Sequence, residues 1–179
     1  MNRRDFFRWG GGAAGGLLLS GLSLSGIDLS LSGERSLSFY QTHTGETLDT
    51  CYWKDGDYSP QALQQINHIL RDHRTGDVKD IDKQLLDLLF VLKKKMKTDS
   101  EFHIISGYRS PLTNQKLRSK SSGIAKNSLH MVGKAIDIRL PGIPLTKLRD
   151  AALDLQAGGV GYYPASKFIH VDTGRIRRW

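Results

Sequence analysis

The sequence predicts an α+β domain with a central, mostly antiparallel sheet that is flanked by helices. Three features of the pattern favour this class. A hairpin pattern comes first, two helical patterns follow it, and short strand patterns then dominate residues 102–172. Helices and strands that are grouped in this way, with no internal repeat, are typical of an α+β fold.

The hairpin and the first helix are predicted from turn and cap residues. Apolar residues alternate on both sides of Thr44-Gly45, which predicts two antiparallel strands joined by a turn. Ser59 is expected to cap the first helix, and Pro60 suits its first position. Apolar residues at helical spacing extend this helix to about His73.

The second helix is expected from about Asp82 to Met96, and its broad apolar face predicts that it is mostly buried. The remaining elements follow in order: a strand in "FHIISGYRS", a short polar helix over 113–120, a strand at the end of "KNSLHMVGKAIDIRL", a helix over 145–156, and two strands in "GGVGYYPASKFIHVDTG". Together they form one predicted domain over residues 31–179.

Residues 1–30 have the layout of an export signal. The twin arginines Arg3 and Arg4 precede Phe6, and a weakly hydrophobic stretch rich in glycine, alanine and leucine follows. This order predicts export to the periplasm by the twin-arginine route. An N-terminal membrane anchor is the alternative, although the stretch is shorter than the roughly 18 apolar residues that a membrane helix needs. Because no A-x-A motif appears, the pattern does not decide whether the segment is cleaved or retained.

The composition limits the classes of partner. The chain has 179 residues, a net charge of +8 and an apolar fraction of 39%. These values fit a globular protein in polyanionic surroundings, which could be nucleic acid, an anionic membrane surface or an acidic cell-wall polymer, and the charge does not choose among them. No run of lysines interleaved with aromatic residues indicates a nucleic-acid surface. The single cysteine, Cys51, excludes an intramolecular disulfide and a thiolate metal site.

Two strand patterns carry ionisable side chains opposite their aliphatic residues. In "KAIDIRL", Ile136 and Ile138 share one face, so Asp137 belongs to the other. In "FIHVD", His170 and Asp172 share the face opposite the aliphatic residues. Burying a carboxylate costs free energy unless a partner compensates it. The pattern therefore predicts that these side chains meet a ligand or a counter-charge.

Zinc is one partner that these residues could share. His130, Asp137 and His170 would supply three ligands and leave a fourth position open for water. The alternative is that Asp137 pairs with Arg109 or Arg139, while His130 merely caps a turn. Spacing alone does not separate the two interpretations.

Three motifs add a resemblance to a known family. "GYRSPLTNQKL", "SLHMVGKAIDI" and "GGVGYYPASKFIHVDTG" together resemble the murein endopeptidase K (YcbK-like) family of zinc peptidases, which is related to D-alanyl-D-alanine carboxypeptidases and hedgehog-type domains. The resemblance covers about residues 36–179. It implies the hedgehog/D-alanyl-D-alanine-peptidase-like fold and hydrolysis of peptidoglycan cross-links, at D-alanyl–diaminopimelate or diaminopimelate–diaminopimelate bonds. D,D- or L,D-carboxypeptidase activity on stem peptides and a non-catalytic peptidoglycan-binding module are the alternatives.

The resemblance also implies roles for single residues, all within 103–179. Zinc would be held by His130, Asp137 and His170. Arg109 matches an arginine that binds the scissile carbonyl oxygen or a substrate carboxylate, and a guanidinium there would stabilise a developing oxyanion. A salt bridge from Arg109 to Asp137 or Asp172 is the structural alternative.

The chain departs from the carboxypeptidase pattern at the general base. That branch carries a glutamate shortly before its last histidine ligand, whereas here Lys167, Phe168 and Ile169 precede His170. Asp172 is the replacement candidate, because it lies two residues on and on the same face. It would take a proton from the attacking water and pass it to the leaving amine. Its other interpretation is that it orients a ligand histidine.

The tyrosines of the strand patterns allow two interpretations. Tyr108, Tyr162 and Tyr163 could line a peptide groove, but aromatic strand residues belong more often to the core.

Overall fold

A single mixed sheet organises the computed structural model, which describes residues 33–121 and 123–179. The predicted export signal, residues 1–30, lies outside the described residues. The elements, in chain order, are β1 (Glu34–Gln41), β2 (Thr47–Lys54), β3 (Asp57–Tyr58), α1 (Pro60–Ile69), α2 (Lys83–Met96), β4 (Phe102–Ser106), α3 (Pro111–Arg118), β5 (Ala135–Arg139), α4 (Leu145–Asp154), β6 (Gly159–Tyr163), β7 (Phe168–Asp172) and β8 (Arg177–Arg178).

The strand order within these residues is β3-β2-β1-β4-β5-β7-β6-β8. The neighbouring strands pair antiparallel except at β1–β4 and β6–β8, which are parallel. The predicted α+β class with a mostly antiparallel sheet is therefore confirmed. None of the described helices is long and apolar enough to cross a membrane.

Helix boundaries differ from the sequence expectations by a few residues, and the caps explain most of the differences. Helix α1 ends at Ile69 rather than near His73, because the chain turns at Leu70 to form the loop toward α2. Helix α3 begins at Pro111 rather than Thr113, since the Ser110 hydroxyl accepts a hydrogen bond from the Thr113 amide. The Ser59 cap on α1 forms as expected.

The core lies between one face of the sheet and three helices, α1, α2 and α4. Helix α2 is the most deeply buried of them, as its apolar face predicted; Leu85, Leu86 and Leu89 have no exposed surface. The sheet contributes its aliphatic residues, including Ile136 and Ile138 of β5. Burying each such side chain stabilises the fold by roughly 1.5–3 kcal/mol.

The opposite face of the central strands carries the polar side chains. Asp137 of β5 pairs with His170 of β7 on one side and with Ser106 of β4 on the other. A single 3-10 turn, Leu129–Val132, precedes β5 and ends at Gly133, whose φ is 69°. A side chain at Gly133 would collide with the carbonyl of Asp80, so glycine lets this turn press against the connection before α2.

Candidate metal centre

His130, Asp137 and His170 converge on the polar face of the sheet, and all three are buried. The His130 Nε2 atom lies 3.3 Å from Asp137 Oδ1 and 3.2 Å from His170 Nδ1. His170 Nδ1 lies 2.9 Å from Asp137 Oδ1, so the three atoms form a small triangle. The 3-10 turn, β5 and β7 each contribute one of the three residues.

The hydrogen bonds of the two imidazoles indicate which nitrogen faces the cluster. His130 Nδ1 lies 2.8 Å from the carbonyl oxygen of Gly107, and because a carbonyl only accepts, Nδ1 must donate. His170 Nε2 lies 2.9 Å from Asp172 Oδ2 and donates to that carboxylate in the same way. When both imidazoles are neutral, the other two nitrogens, His130 Nε2 and His170 Nδ1, therefore carry lone pairs that point toward each other.

This donor set fits a small divalent cation. Two lone pairs and a carboxylate oxygen that approach within 3.3 Å repel one another unless a positive charge lies between them. Ligands at about 2.0–2.1 Å around tetrahedral zinc are about 3.3 Å apart, which matches the triangle observed here. Imidazoles that donate their second nitrogen to a carbonyl and to a carboxylate are the usual surroundings of metal-binding histidines.

The electrostatics of the cluster favour an ionised carboxylate. Burial raises the pKa of Asp137, but the charges and hydrogen bonds of His130 and His170 lower it more, so its pKa lies below the ordinary value. Burial lowers the pKa of His170, whereas its hydrogen bonds to Asp137 and Asp172 raise it, and the net direction is upward. An ionised carboxylate beside two imidazoles suits a site that binds a cation.

Asp172 has a fully buried carboxylate with no hydrogen-bonding position left over for a substrate. Its Oδ1 accepts from the amides of Gly159 and Gly174, at 2.9 and 2.8 Å, and from Arg177 at 3.1 Å. Its Oδ2 accepts from His170 Nε2 at 2.9 Å and from Arg177 at 2.7 Å. It contacts the nitrogen of His170 that faces away from the cluster. This geometry argues against Asp172 as the general base and favours its other interpretation, which is orientation of a histidine ligand.

We predict that replacing Asp172 with asparagine weakens binding of a divalent metal ion about 10- to 100-fold, because His170 loses its charged acceptor. If Asp172 orients His170, excess metal ion restores full occupancy of the site. The measurement is a titration of the purified variant with a divalent metal ion, followed by the amount of bound metal.

The matched control is Asp154→Asn, a substitution at an exposed carboxylate at the end of α4, which should leave the metal affinity unchanged. An unchanged metal affinity in Asp172→Asn would contradict the orienting role.

Arg109 lies beside the cluster and is nearly buried. Its Nη2 atom is 3.2 Å from the Ser106 hydroxyl and 3.5 Å from Asp137 Oδ2. Among the described residues, its Nε has no hydrogen-bond partner. Burial lowers the pKa of Arg109, while the charge of Asp137 raises it. The guanidinium thus makes one long ion pair and retains N–H groups that are not engaged by any described residue. These N–H groups could donate hydrogen bonds to an oxygen of a bound ligand.

Two groups that the sequence interpretation missed, the partly buried Arg177 and the buried Asp72, hold this arrangement in place. Arg177, rather than Arg109, is the ion-pair partner of Asp172. The carboxylate of Asp72 accepts from the amide of Ser110 at 2.9 Å, next to Arg109. Burial raises the pKa of Asp72, but its hydrogen bonds from Thr113, Arg74 and Ser110 lower it to about 2.

The cluster opens into a cleft of about 670 Å³. Among the described residues that line it, Asp137 has the only carboxylate side chain. Its cationic and aromatic lining includes Arg74, Arg109, Arg177, Tyr163, Phe168 and Trp179. Tyr163 therefore faces the cleft, whereas Tyr162 packs against the core. A buried cluster that can hold a metal ion, beneath a cationic cleft, can bind and polarise a ligand that carries carboxylate groups.

Comparisons with known proteins agree with this site. A family model described as "Peptidoglycan L,D-endopeptidase MepK" matches residues 30–179. The chain is 41% identical to the Escherichia coli protein of that name over 178 residues, which are 99% of this chain and 97% of the relative. It is 40% identical over 180 residues to a "Probable peptidoglycan L,D-endopeptidase MepK" of Haemophilus influenzae, covering 100% of this chain and 96% of that one.

The fold, the cluster of two histidines and one aspartate, and these matches define a metallopeptidase. More narrowly, the chain belongs to the peptidoglycan L,D-endopeptidase MepK family. The family resemblance predicted from the three sequence motifs is thereby confirmed.

Proposed function

We propose that this protein is a zinc-dependent endopeptidase that hydrolyses peptide cross-links of peptidoglycan. The observation that carries the proposal is the convergence of His130 Nε2, Asp137 Oδ1 and His170 Nδ1 at the base of a cationic cleft. The names of the relatives specify an L,D bond. That specification favours the diaminopimelate–diaminopimelate cross-link, which joins an L-centre to a D-centre, over the D-alanyl–diaminopimelate cross-link.

The choice of zinc rests on the ligand types. Two imidazoles and one carboxylate form a common three-ligand set for catalytic zinc, whereas magnesium and calcium prefer all-oxygen sites. Zinc bound to His130, Asp137 and His170 would supply Lewis-acid activation of water and of the scissile carbonyl group.

The chain's own residues supply orientation and charge. Gly107 and Asp172 fix the two imidazoles through the hydrogen bonds described above. Arg109 would stabilise negative charge that develops on the scissile carbonyl oxygen; its guanidinium lies next to the cluster, 3.5 Å from the carboxylate of Asp137, which supports this role. The cationic lining of the cleft suits stem peptides, which carry several free carboxylates.

The proposal is tested by incubating the purified protein with defined cross-linked muropeptide dimers, with zinc or with a chelator, and reading the products by mass. We expect diaminopimelate–diaminopimelate dimers to be split into monomers with zinc and to stay intact with the chelator. Loss of a single terminal residue would instead indicate a carboxypeptidase. Intact dimers in the presence of zinc, with protein that still sediments with sacculi, would indicate a binding module.

We also propose that the chain reaches the periplasm by the twin-arginine route, on the basis of Arg3, Arg4 and the weakly hydrophobic stretch after them. Replacing both arginines with lysine is expected to leave the protein in the cytoplasm, as followed by cell fractionation. The double substitution Lys93→Arg/Lys94→Arg, which makes the reverse exchange at the end of α2, is the control. Undiminished export of the Arg3→Lys/Arg4→Lys variant would contradict this route.

A further inference from the structure

Tyr163 and Arg109 bracket the metal centre from opposite sides. Gly161 of β6 pairs with His170, and Tyr163 pairs with Phe168, so the side chain of Tyr163 lies on the same face of the sheet as His170. Arg109 follows β4, on the other side of β5. A peptide that crosses the metal centre would therefore meet Arg109 on one side and Tyr163 on the other.

Trp179 forms the wall of the cleft next to Tyr163. Its backbone is fixed by hydrogen bonds with Val160 and Tyr162, at 3.2 and 3.0 Å. Its indole ring lies 5.2 Å from the ring of His170 and is half exposed. A Cβ atom at Gly161 would come within 2.7 Å of the indole, so the absence of a side chain there makes room for Trp179.

One hydrogen bond connects Trp179 to Tyr163. The indole Nε1 donates to the hydroxyl oxygen of Tyr163 at 2.7 Å, because an indole N–H can only donate. The phenol ring stacks on Phe168, with ring centroids 4.7 Å apart. The Tyr163 hydroxyl thus keeps its own proton to donate, and none of the described residues accepts it. The hydroxyl is held in place and is free to donate into the cleft.

We infer that Tyr163 is a substrate-binding residue, and that Trp179 is a positioning residue that orients its hydroxyl. The Tyr163 hydroxyl donates to a carbonyl or carboxylate oxygen of the bound stem peptide, opposite the contact made by Arg109. This inference rests on the proposed function of the cleft. Since the contact forms on binding, it contributes to substrate affinity rather than to the chemical step.

The kinetic test uses Tyr163→Phe, Trp179→Phe and the double variant. Tyr163→Phe is expected to raise KM for a cross-linked dimer about tenfold, as loss of one hydrogen bond to a polar or charged oxygen implies. The value of kcat should stay within about twofold, and zinc content should be unchanged. Trp179→Phe should raise KM by a smaller factor, and it should add nothing in the Tyr163→Phe background, because it acts through the Tyr163 hydroxyl.

Two matched controls make the same exchanges away from the cleft. Tyr162→Phe changes the neighbouring tyrosine, which faces the core, and Trp53→Phe changes the tryptophan of β2, which does not line the cleft. Both should have the KM of the wild type. Binding of an uncross-linked stem tripeptide gives a readout that is independent of cleavage. Its affinity, measured by calorimetry, should fall about tenfold in Tyr163→Phe.

The outcomes separate this inference from the proposed function. If the wild type splits dimers but Tyr163→Phe shows unchanged KM and unchanged tripeptide affinity, the inference fails and the function stands. If Trp179→Phe lowers affinity equally in the wild-type and Tyr163→Phe backgrounds, Trp179 acts as a packing wall and not through Tyr163. If the wild type splits no dimers, the proposed function fails, and the tripeptide affinities still decide whether Tyr163 binds substrate.

Discussion

Replacing His130 with alanine is expected to abolish stoichiometric zinc binding and to reduce dimer hydrolysis by about a thousandfold or more. The substitution leaves Asp137 and His170 as a two-donor site, which lacks the third ligand that a tetrahedral catalytic centre requires. Bound metal is measured by elemental analysis of the purified protein, and hydrolysis is measured by mass analysis of the muropeptide products.

The control for this experiment is His68→Ala. His68 lies on α1 with a largely exposed side chain, away from the cleft lining, so zinc content and activity should match the wild type. Thermal unfolding with and without zinc adds an independent measurement, because a ligand that binds only the folded state raises its stability. Zinc should raise the melting temperature of the wild type and of His68→Ala, but not that of His130→Ala. Equal zinc content in His130→Ala and the wild type would show that the metal centre is assigned to the wrong residues.

Replacing Arg109 with alanine is expected to lower kcat about 100- to 1000-fold, while zinc content stays at the wild-type level. Arg109 contacts the hydroxyl of Ser106 and the far oxygen of Asp137, so its removal should leave the three donor atoms in place. Arg109→Lys should recover only a small part of the loss, since a lysine ammonium lacks the planar fork of the guanidinium. Steady-state kinetics on a defined dimer measure both values.

The comparison variant is Arg118→Ala, at the exposed end of α3, where the same loss of charge should leave kcat unchanged. The division between kcat and KM identifies the role of Arg109. A rise in KM alone would show that Arg109 binds a substrate carboxylate in the ground state. A matching loss of zinc would show that the residue maintains the cluster rather than stabilising charge on the substrate.

The strand periodicity was sufficient to predict which face of the sheet carries the polar cluster. The alternation around Asp137 and His170 follows directly from the two-residue repeat of a strand, and the structure brings both residues together with His130. The fold class followed from the grouping of helices and strands. Local patterns were therefore sufficient to predict the sheet, its buried face and the three candidate ligands.

The surroundings of Asp172 could not be predicted in the same way. Its partners include an arginine five residues on and the backbone amides of Gly159, at the start of β6, and of Gly174, and no periodic pattern specifies that these groups meet. A sequence shows that a carboxylate lies near a histidine, but it does not show that every oxygen lone pair is already engaged. The general-base interpretation of Asp172 depended on that missing information.

The parallel pairing of β8 with β6 could not be predicted from the sequence either. This pairing carries Trp179 over Gly161 and beside His170. A two-residue strand gives almost no periodic signal, and parallel neighbours are determined by the course of the whole chain rather than by a local turn. The hydrogen bond from Trp179 to the Tyr163 hydroxyl depends on that same pairing.

The connection between α1 and α2 contains none of the three donor residues, yet it contacts two walls of the cleft. Leu70 accepts from the amide of Tyr108 at 2.7 Å, and the amide of Asp82 donates to Gly133 at 2.9 Å, so this segment contacts both the Arg109 loop and the turn that carries His130. Local opening of the connection would release both at once. Slow inactivation on heating and the first cleavage by a protease should therefore both begin in this segment. A proline or a cross-link that stiffens the segment should lengthen the half-life of activity at high temperature without altering any group that contacts the substrate.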